Sequence, residues 1–293
     1  MPELPEVETV RRGLERLIVN KTIKAEEHDT QKGFPNNPEE VAQFLIGATI
    51  TAVRRRAKVL LIDLSTGYSL LVHLKMTGQM VYVDDAARFG AGHPNDSLIH
   101  ELPDRSTRVT LTLKEGGKLF FNDQRKFGWM KLLPTELIME TPFMQKVGPE
   151  PLEATFTDEV FISRVRRRKN SPIKAALLDQ SVLAGIGNIY ADEGLWGAKI
   201  HPSTLVRDVT DKQLRELRTE LQTVLKLAIE KGGSTDRNYV NAEGKKGSYM
   251  DFARVFRKEN TPCPRCGMTI MKTRVAGRGT HICLHCQPEP QHA

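Results

Sequence analysis

Four cysteines constrain this chain more than any other feature. They are Cys263, Cys266, Cys283 and Cys286, all within the last 31 residues, as two C-x2-C pairs separated by sixteen residues. Each pair puts two thiolates on one tight turn, and two such turns facing each other close a tetrahedral sulfur site. Thr269, Ile270, Met271, Thr273, Val275, Thr280 and Ile282 predict a hairpin between the pairs, with Gly277-Arg278-Gly279 as its turn and Arg278 at the tip. The pattern is that of a zinc ribbon holding one structural Zn2+. Two disulfides are the other use of four cysteines, but nothing in the sequence suggests an oxidising compartment. Four thiolates fill the shell, so His281 and His285 are not needed as ligands, and no open position is left for metal catalysis. A segment of about 35 residues buries little core, so the metal supplies most of its folding free energy.

The remaining length decides how much else there is. A chain of 293 residues has room for two cores, and two domains are the expectation. No apolar run approaches the roughly 18 residues that span a bilayer, so no membrane contact is expected. The first twenty residues hold four Glu and three Arg, which does not fit a secretory signal. The expected location is the cytoplasm.

A net charge of +7 favours an acidic partner only weakly, and its placement says more. From Arg254 onward there are seven Lys and Arg against two Glu. Two further basic runs are Arg54-Arg55-Arg56 and Arg164 through Lys169, the latter broken only by Val165. One basic run is as often a solvated face as a binding site. Three separated basic segments shift the balance toward a polyanion.

Periodicity divides the chain. Pro5, Glu6 and Glu8 suit a helix start, and Val7, Val10, Leu14 and Leu17 continue it at helical spacing to about residue 17. From about Thr49 to Leu133 short β-rich runs take over. They include 58–64, 68–74, 108–113 and 118–122, with turns at Ser65-Thr66-Gly67 and Glu115-Gly116-Gly117. These predict a β-sandwich or barrel, with 84–106 as a surface loop. After Gly148-Pro149-Glu150-Pro151 the period becomes helical over 158–168, 171–179, 188–198 and 211–231. Thr210-x-x-Gln213 reads as a capping box for the last helix, and Gly232 as its stop. Leu183-Ala-Gly-Ile-Gly-Asn188 joins two helices by a glycine turn, which is either a plain helical hairpin or a cradle for a phosphate. The polar, glycine-rich stretch 232–251 reads as a connector or a lid.

The common catalytic signatures, G-x-S-x-G, the P-loop, GxGxxG and HExxH, are absent. The unusual candidate is Pro2, because removal of Met1 would expose a secondary amine. An α-amino group titrates near about 7.7–8.0, so part of it is neutral at pH 7, unlike lysine at about 10.4. A secondary amine that attacks a sugar C1′ yields an iminium ion, an electron sink that permits elimination. Proline at position 2 is common, and alone it would prove nothing.

A resemblance supplies the support. Pro2-Glu3-Leu4-Pro5-Glu6-Val7-Glu8-Thr9, Arg55-Arg56-Ala57-Lys58, His73-Leu74-Lys75-Met76-Thr77-Gly78, Asp123-Gln124-Arg125-Lys126-Phe127-Gly128, Gly185-Ile186-Gly187-Asn188-Ile189-Tyr190 and Ala276-Gly277-Arg278-Gly279-Thr280 lie in this order along the chain. Together with the cysteines they resemble the bacterial formamidopyrimidine-DNA glycosylase family over essentially the whole length. Leu4 favours this family over the related endonuclease VIII group, which usually has Gly there. The resemblance implies an α+β fold: an N-terminal β-sandwich with a leading helix over 1–135, a helix–two-turn–helix domain over 150–235 and a zinc finger over 254–288. Damaged double-stranded DNA would lie between the domains of a monomer, in the nucleoid of a bacterial cytoplasm. The activity implied is that of a glycosylase and AP lyase for oxidised purines in base excision repair, cleaving the strand by β,δ-elimination. Two alternatives stand beside it: an endonuclease VIII-like enzyme for oxidised pyrimidines, and a non-catalytic zinc-ribbon DNA-binding protein.

By the same resemblance Pro2 is the nucleophile and Glu3 the acid that protonates the sugar ring oxygen. Lys58 serves phosphate contact and β-elimination, and Arg278 binds a phosphate and is linked to δ-elimination. A base inside a duplex is out of reach, so the nucleotide must be extruded and the gap filled. Met76, Arg125 and Phe127 match the filling residues, and Lys169, Lys174 and Asn188 match positions that bind the backbone. One departure is Ser106, which stands where the family often has a phosphate-binding His.

Overall fold

The structure, a computed structural model, describes residues 2–93, 95–234 and 249–290. Helix α1 spans Leu4–Ile18. Pro5 falls in its first turn, where a missing N–H costs nothing, and the Glu6 carboxylate folds back to accept the Glu3 amide at 2.8 Å. Val7, Val10, Leu14 and Ile18 form its buried stripe, and Asn20 turns the chain away with φ 69°.

Two antiparallel sheets take the buried stripe of α1. One orders its strands β1 (Ile23–His28), β7 (Thr107–Leu113), β8 (Lys118–Asp123), β5 (Gly78–Val83) and β6 (Arg88–Gly92). The other orders them β2 (Ile50–Arg56), β3 (Val59–Leu64), β4 (Tyr68–His73) and β9 (Trp129–Pro134). Alternate residues Leu60 and Ile62 of β3, Leu70 and Val72 of β4, and Met80 and Tyr82 of β5 enter one core with the helix. The opposite face of β3 and β4 is also covered, since Val59, Leu61 and Leu71 pack under Ile138 and Met144. Covering on both faces is why these strands read as continuous apolar runs rather than alternating ones. The expected surface loop 84–106 is only partly a loop, because Arg88–Gly92 pairs with β5 and Asp96–Leu98 forms a 3-10 turn.

The second compact unit holds Lys146–Glu230 and resumes at Tyr249, whereas the first runs through Gln145 and takes the chain back at Lys231. Its helices are α2 (Asp158–Arg166), α3 (Ile173–Leu178), α4 (Asn188–Gly197) and α5 (Asp211–Glu230). The capping box before α5 forms as read: Gln213 N–H reaches Thr210 Oγ1 at 3.2 Å, and Thr210 N–H reaches Gln213 Oε1 at 2.9 Å. Leu214, Leu217, Leu221, Val224 and Leu225 face the core of this unit. A Cβ at Gly194 would lie 2.5 Å from the Leu221 side chain, so α4 and α5 approach as closely as they do only because that residue is glycine. Strands β10 (Met271–Val275) and β11 (Arg278–Ile282) form the expected hairpin between the cysteine pairs. Ala276 and Gly277, at φ 48° and 74°, make its two-residue turn. Arg278 is therefore not the tip but the first residue of β11, opposite Val275. Most of the stretch read as a connector or lid, 235–248, lies outside the described residues.

Candidate functional site

Pro2 and Glu3 precede α1 directly and both are buried, Glu3 to 3% exposure. Glu6 holds this end of the chain. One of its oxygens accepts the Glu3 amide, and the other accepts Ser234 N–H at 2.7 Å. Gly233, at φ 82°, allows the approach, since a Cβ there would stand 3.1 Å from Glu6 Oε1.

Lys58 is buried at the entrance to β3. Arg55 places the turn before it: its Nε meets Glu8 on α1 at 3.1 Å and its Nη1 meets the Ala57 carbonyl at 3.0 Å. Ala57 takes φ 52° to make that turn. Burial raises the Glu8 carboxyl, but Arg11, Arg12 and Arg55 outweigh it and hold the group below its ordinary range. Arg54 is likewise occupied, pairing with Asp63 across the sheet at 2.5 and 2.8 Å. Arg54 and Arg55 of this basic run therefore have internal carboxylate partners. Residue 59 on β3 pairs with His73 on β4. Burial, with Lys75 and Lys58 beside it, pushes the His73 ring down to about 3, so it is neutral at physiological pH. Its Nδ1 accepts Lys75 N–H at 3.1 Å, and its ring packs in a three-ring cluster with Trp129 and Phe143.

The three expected gap-filling side chains are exposed. Met76 is 39% and Phe127 45% exposed, unusual for large apolar groups that would otherwise sit in a core. Met76 sits in the turn between β4 and β5, whereas Arg125 and Phe127 belong to the segment between β8 and β9. The Arg125 guanidinium lies 4.8 Å from the Phe127 ring centre, and Lys32 Nζ lies 5.6 Å from the same ring. Ser106 does not face outward. It is 3% exposed, and its hydroxyl bonds Asp104 at 2.6 Å and Ser97 at 3.0 Å, so it is committed inside the loop.

In the second unit Asn188 opens α4, and its amide nitrogen donates to the Gly279 carbonyl at 2.9 Å, beside exposed Arg278. Lys169 is exposed in the turn after α2. Lys174 is not at any surface, which corrects its assignment as a DNA contact. It is fully buried, with Nζ 2.6 Å from Asp192 Oδ1 and 2.8 Å from both Gly279 O and Thr280 Oγ1. Three donors facing three internal acceptors leave the ammonium nothing for a phosphate. The other Asp192 oxygen takes His281 N–H at 3.0 Å and lies 3.1 Å from His281 Nδ1. A second buried carboxylate, Glu193, accepts the amides of Arg254, Val255 and Phe256. Neither acid was singled out from the sequence. Adjacent acids on a helix without other polar context read as solvated.

The four cysteine sulfurs lie within 4.8 Å of one another. Cys263 and Cys286 are 3.9 Å apart, and Cys266 and Cys283 are 3.4 Å apart. A tetrahedron with Zn–S bonds of about 2.3 Å has edges of about 3.8 Å, so this donor set fits one zinc ion. Val255, Ile270 and Trp196 pack around it, and Arg265 lies over the Trp196 ring with its guanidinium carbon 3.9 Å from the ring centre.

Family models match three stretches: the formamidopyrimidine-DNA glycosylase N-terminal domain over residues 1–130, its H2TH domain over 147–239, and a zinc finger found in FPG and IleRS over 261–288. Formamidopyrimidine-DNA glycosylases of Pediococcus pentosaceus and Ligilactobacillus salivarius are 42% and 40% identical, each match covering 98% of this chain and 99% of the relative. A Lactococcus lactis Fpg in complex with an abasic-site-containing DNA matches with TM-score 0.85 at 34% identity, covering 98% of this chain and 100% of that one. The MutM (Fpg) protein of Thermus thermophilus matches with TM-score 0.83 at 35% identity, covering 99% and 100%. The chain belongs to the formamidopyrimidine-DNA glycosylase family.

Proposed function

We propose that this protein is a bifunctional DNA glycosylase and AP lyase that removes oxidised purines, 8-oxoguanine and formamidopyrimidines, and cleaves the strand by β,δ-elimination. It acts as a monomer on the DNA of a bacterial cytoplasm. The observation that carries this reading is the buried Pro2-Glu3 pair at the head of α1, tied down through Glu6. Lactococcus lactis relatives bind DNA containing Fapy-dG or an abasic site, which is the substrate and the intermediate this chemistry requires. No helix among the described residues is long and apolar enough to cross a membrane.

In the proposed sequence Met1 is removed and the Pro2 nitrogen attacks C1′ of the lesion nucleotide. The glycosidic bond from C1′ to the base breaks, and the base departs with the proton shed by the Pro2 nitrogen. Glu3 protonates the sugar ring oxygen as the C1′–O4′ bond opens, leaving C1′ doubly bonded to the Pro2 nitrogen. The resulting iminium acidifies C2′. Loss of that proton breaks the C3′–O bond, a second elimination breaks C5′–O, and water releases the enzyme. Lys58 and Arg278 hold the phosphates on which the two eliminations depend, and Asn188 and Lys169 hold others. Met76, Arg125 and Phe127 occupy the gap left by the extruded nucleotide, with the guanidinium available to the orphaned base.

Borohydride reduction during turnover is expected to leave a covalent DNA adduct on Pro2, located by peptide mass spectrometry. Normal base excision by a Pro2→Gly variant would sink the proline mechanism. Parallel excision assays on 8-oxoguanine opposite cytosine and on thymine glycol separate this reading from an enzyme for oxidised pyrimidines. Binding without cleavage on both would leave only the non-catalytic alternative.

A further inference from the structure

The exposed side chains Met76, Arg125 and Phe127 come from two different turns, and one buried carboxylate joins those turns. Asp123 ends β8 and is fully buried. Its Oδ2 accepts Phe127 N–H at 2.8 Å and Gly128 N–H at 2.7 Å. Its Oδ1 accepts Arg125 N–H at 3.2 Å and the hydroxyl of Thr77, which follows Met76. The same Thr77 hydroxyl accepts Arg125 N–H at 3.1 Å.

Every donor to this carboxylate is a neutral amide or hydroxyl. The nearby guanidinium of Arg108 spends its Nε on the Asp123 carbonyl, at 2.8 Å, and pairs by Nη1 with Asp29. With both oxygens of a fully buried carboxylate engaged by donors from two turns, the side chain fixes the geometry of those donors. Gly128 tightens the arrangement: a Cβ there would fall 2.9 Å from the His73 carbonyl and 3.1 Å from Asp123 Oδ2. The turn carrying Met76 is just as close, since a Cβ at Gly78, the β-partner of Asp123, would fall 2.3 Å from the Leu74 carbonyl.

We infer that Asp123, acting through Thr77, is a positioning residue that couples the two turns, so that Met76, Arg125 and Phe127 enter the DNA stack as one preformed unit. It touches no substrate. Its effect is on insertion, because side chains ordered before binding need not be ordered during it. This inference rests on the assignment of those three residues to gap filling, and the test separates the two.

Insertion is read by stopped-flow fluorescence of 2-aminopurine placed beside a tetrahydrofuran abasic analogue in a duplex, where no chemistry follows. Chemistry is read by borohydride trapping on a single-stranded abasic oligonucleotide, which has no stack to fill. In Asp123→Asn the side chain keeps one acceptor and turns an amide toward backbone N–H donors. The ratio of the insertion rate to the trapping rate is expected to fall tenfold or more. Thr77→Val is expected to lower the ratio at least fivefold, and Thr77→Ser, which restores the hydroxyl, to return it within twofold of the parent. Parallel loss of both rates, or an unchanged ratio in Asp123→Asn and Thr77→Val, overturns the coupling. Arg125→Ala and Phe127→Ala serve as the control. If they leave the fluorescence change intact, the gap-filling assignment itself fails. If they abolish it while Asp123→Asn does not, only the inference about Asp123 fails.

Discussion

At the scale of single residues, burial and neighbouring charges decide charge state together: arginines outweigh burial at Glu8, and burial dominates at His73. His73 is the clearest case, a ring pushed from 6.5 down to about 3 by burial, with two lysines adding to it. Its folded value lies below its unfolded value, so between those limits the unfolded chain binds the extra proton. Stability is therefore expected to fall as pH drops from 6.5 toward 3, by up to about 1.4 kcal/mol per pH unit from this group. Urea midpoints at pH 4.5 and 7 check this. His73→Asn, which keeps an acceptor for Lys75 N–H but cannot titrate, should narrow the gap between the two midpoints; an equal gap in both proteins would refute the account. The sequence marks His73 only as a member of a motif; Lys75 is local to it, but nothing local announces its burial or that Lys58 shares its surroundings. Asp123 likewise stands in the sequence only as a member of a motif, although an Asp followed by Arg, Phe and Gly at two, four and five residues is a recognisable signal for a carboxylate that caps its own turn. Pro2 and Glu3 are the opposite case, since their proposed chemistry is read from the Pro2–Thr9 motif itself.

At the scale of elements, the sequence reading found the cysteine-flanked hairpin and most interior strands of the two larger sheets, and missed the outer strands of those sheets. In the two larger sheets the strands recognised, β3, β4, β7 and β8, are interior members; the edge strands β1, β2, β6 and β9 were missed, and so was the interior strand β5. An edge strand tolerates charge and glycine because one row of its backbone groups has no strand beside it, and such residues blunt edge-to-edge pairing. Ile23–His28, with Lys, two Glu and His, and Arg88–Gly92, with two glycines, therefore carry little strand signal. Lys174 is the corresponding error in a helix, where the basic side chain of α3 turned inward to lock the hairpin strand β11. Its removal is expected to act on structure. Lys174→Met leaves Asp192 buried with its ion-pair partner gone, a change that costs about 3–5 kcal/mol in comparable pairs. Thermal unfolding should show a large drop in midpoint, with no change in the slope of log K against log salt for duplex binding. Arg278→Ala should do the reverse, leaving the midpoint nearly intact and reducing the slope by about 0.9. A reduced slope in Lys174→Met would return that lysine to the DNA surface.

At the scale of the whole molecule, the division of labour follows from where each kind of residue can be made rigid. The proposed chemistry sits at a helix start backed by two sheets, in the first compact unit. The proposed phosphate-binding residues Asn188 and Arg278 sit where a helix N-terminus meets a hairpin that has almost no core of its own. That hairpin is exposed along most of β10, so its order depends on the sulfur site at one end and on the Lys174–Asp192 pair along its side. Removing zinc should therefore remove binding while leaving the sheets folded. Structural zinc sites supply about 10–16 kcal/mol in isolated fingers, far more than the hairpin recovers from Ile270 and Ile282. In chelator-treated protein, verified metal-free by elemental analysis, fluorescence anisotropy is expected to show duplex affinity weakened at least tenfold at low salt. The salt slope should also shrink, because Arg278 and its basic neighbours Lys272 and Arg274 no longer present a fixed array to the backbone. Hydrogen exchange should then rise across 271–282 and remain slow in β3, β4, β7 and β8. Unchanged affinity and slope after complete metal loss would mean that the helical unit alone holds the hairpin in place, and that the cysteines contribute nothing to DNA binding.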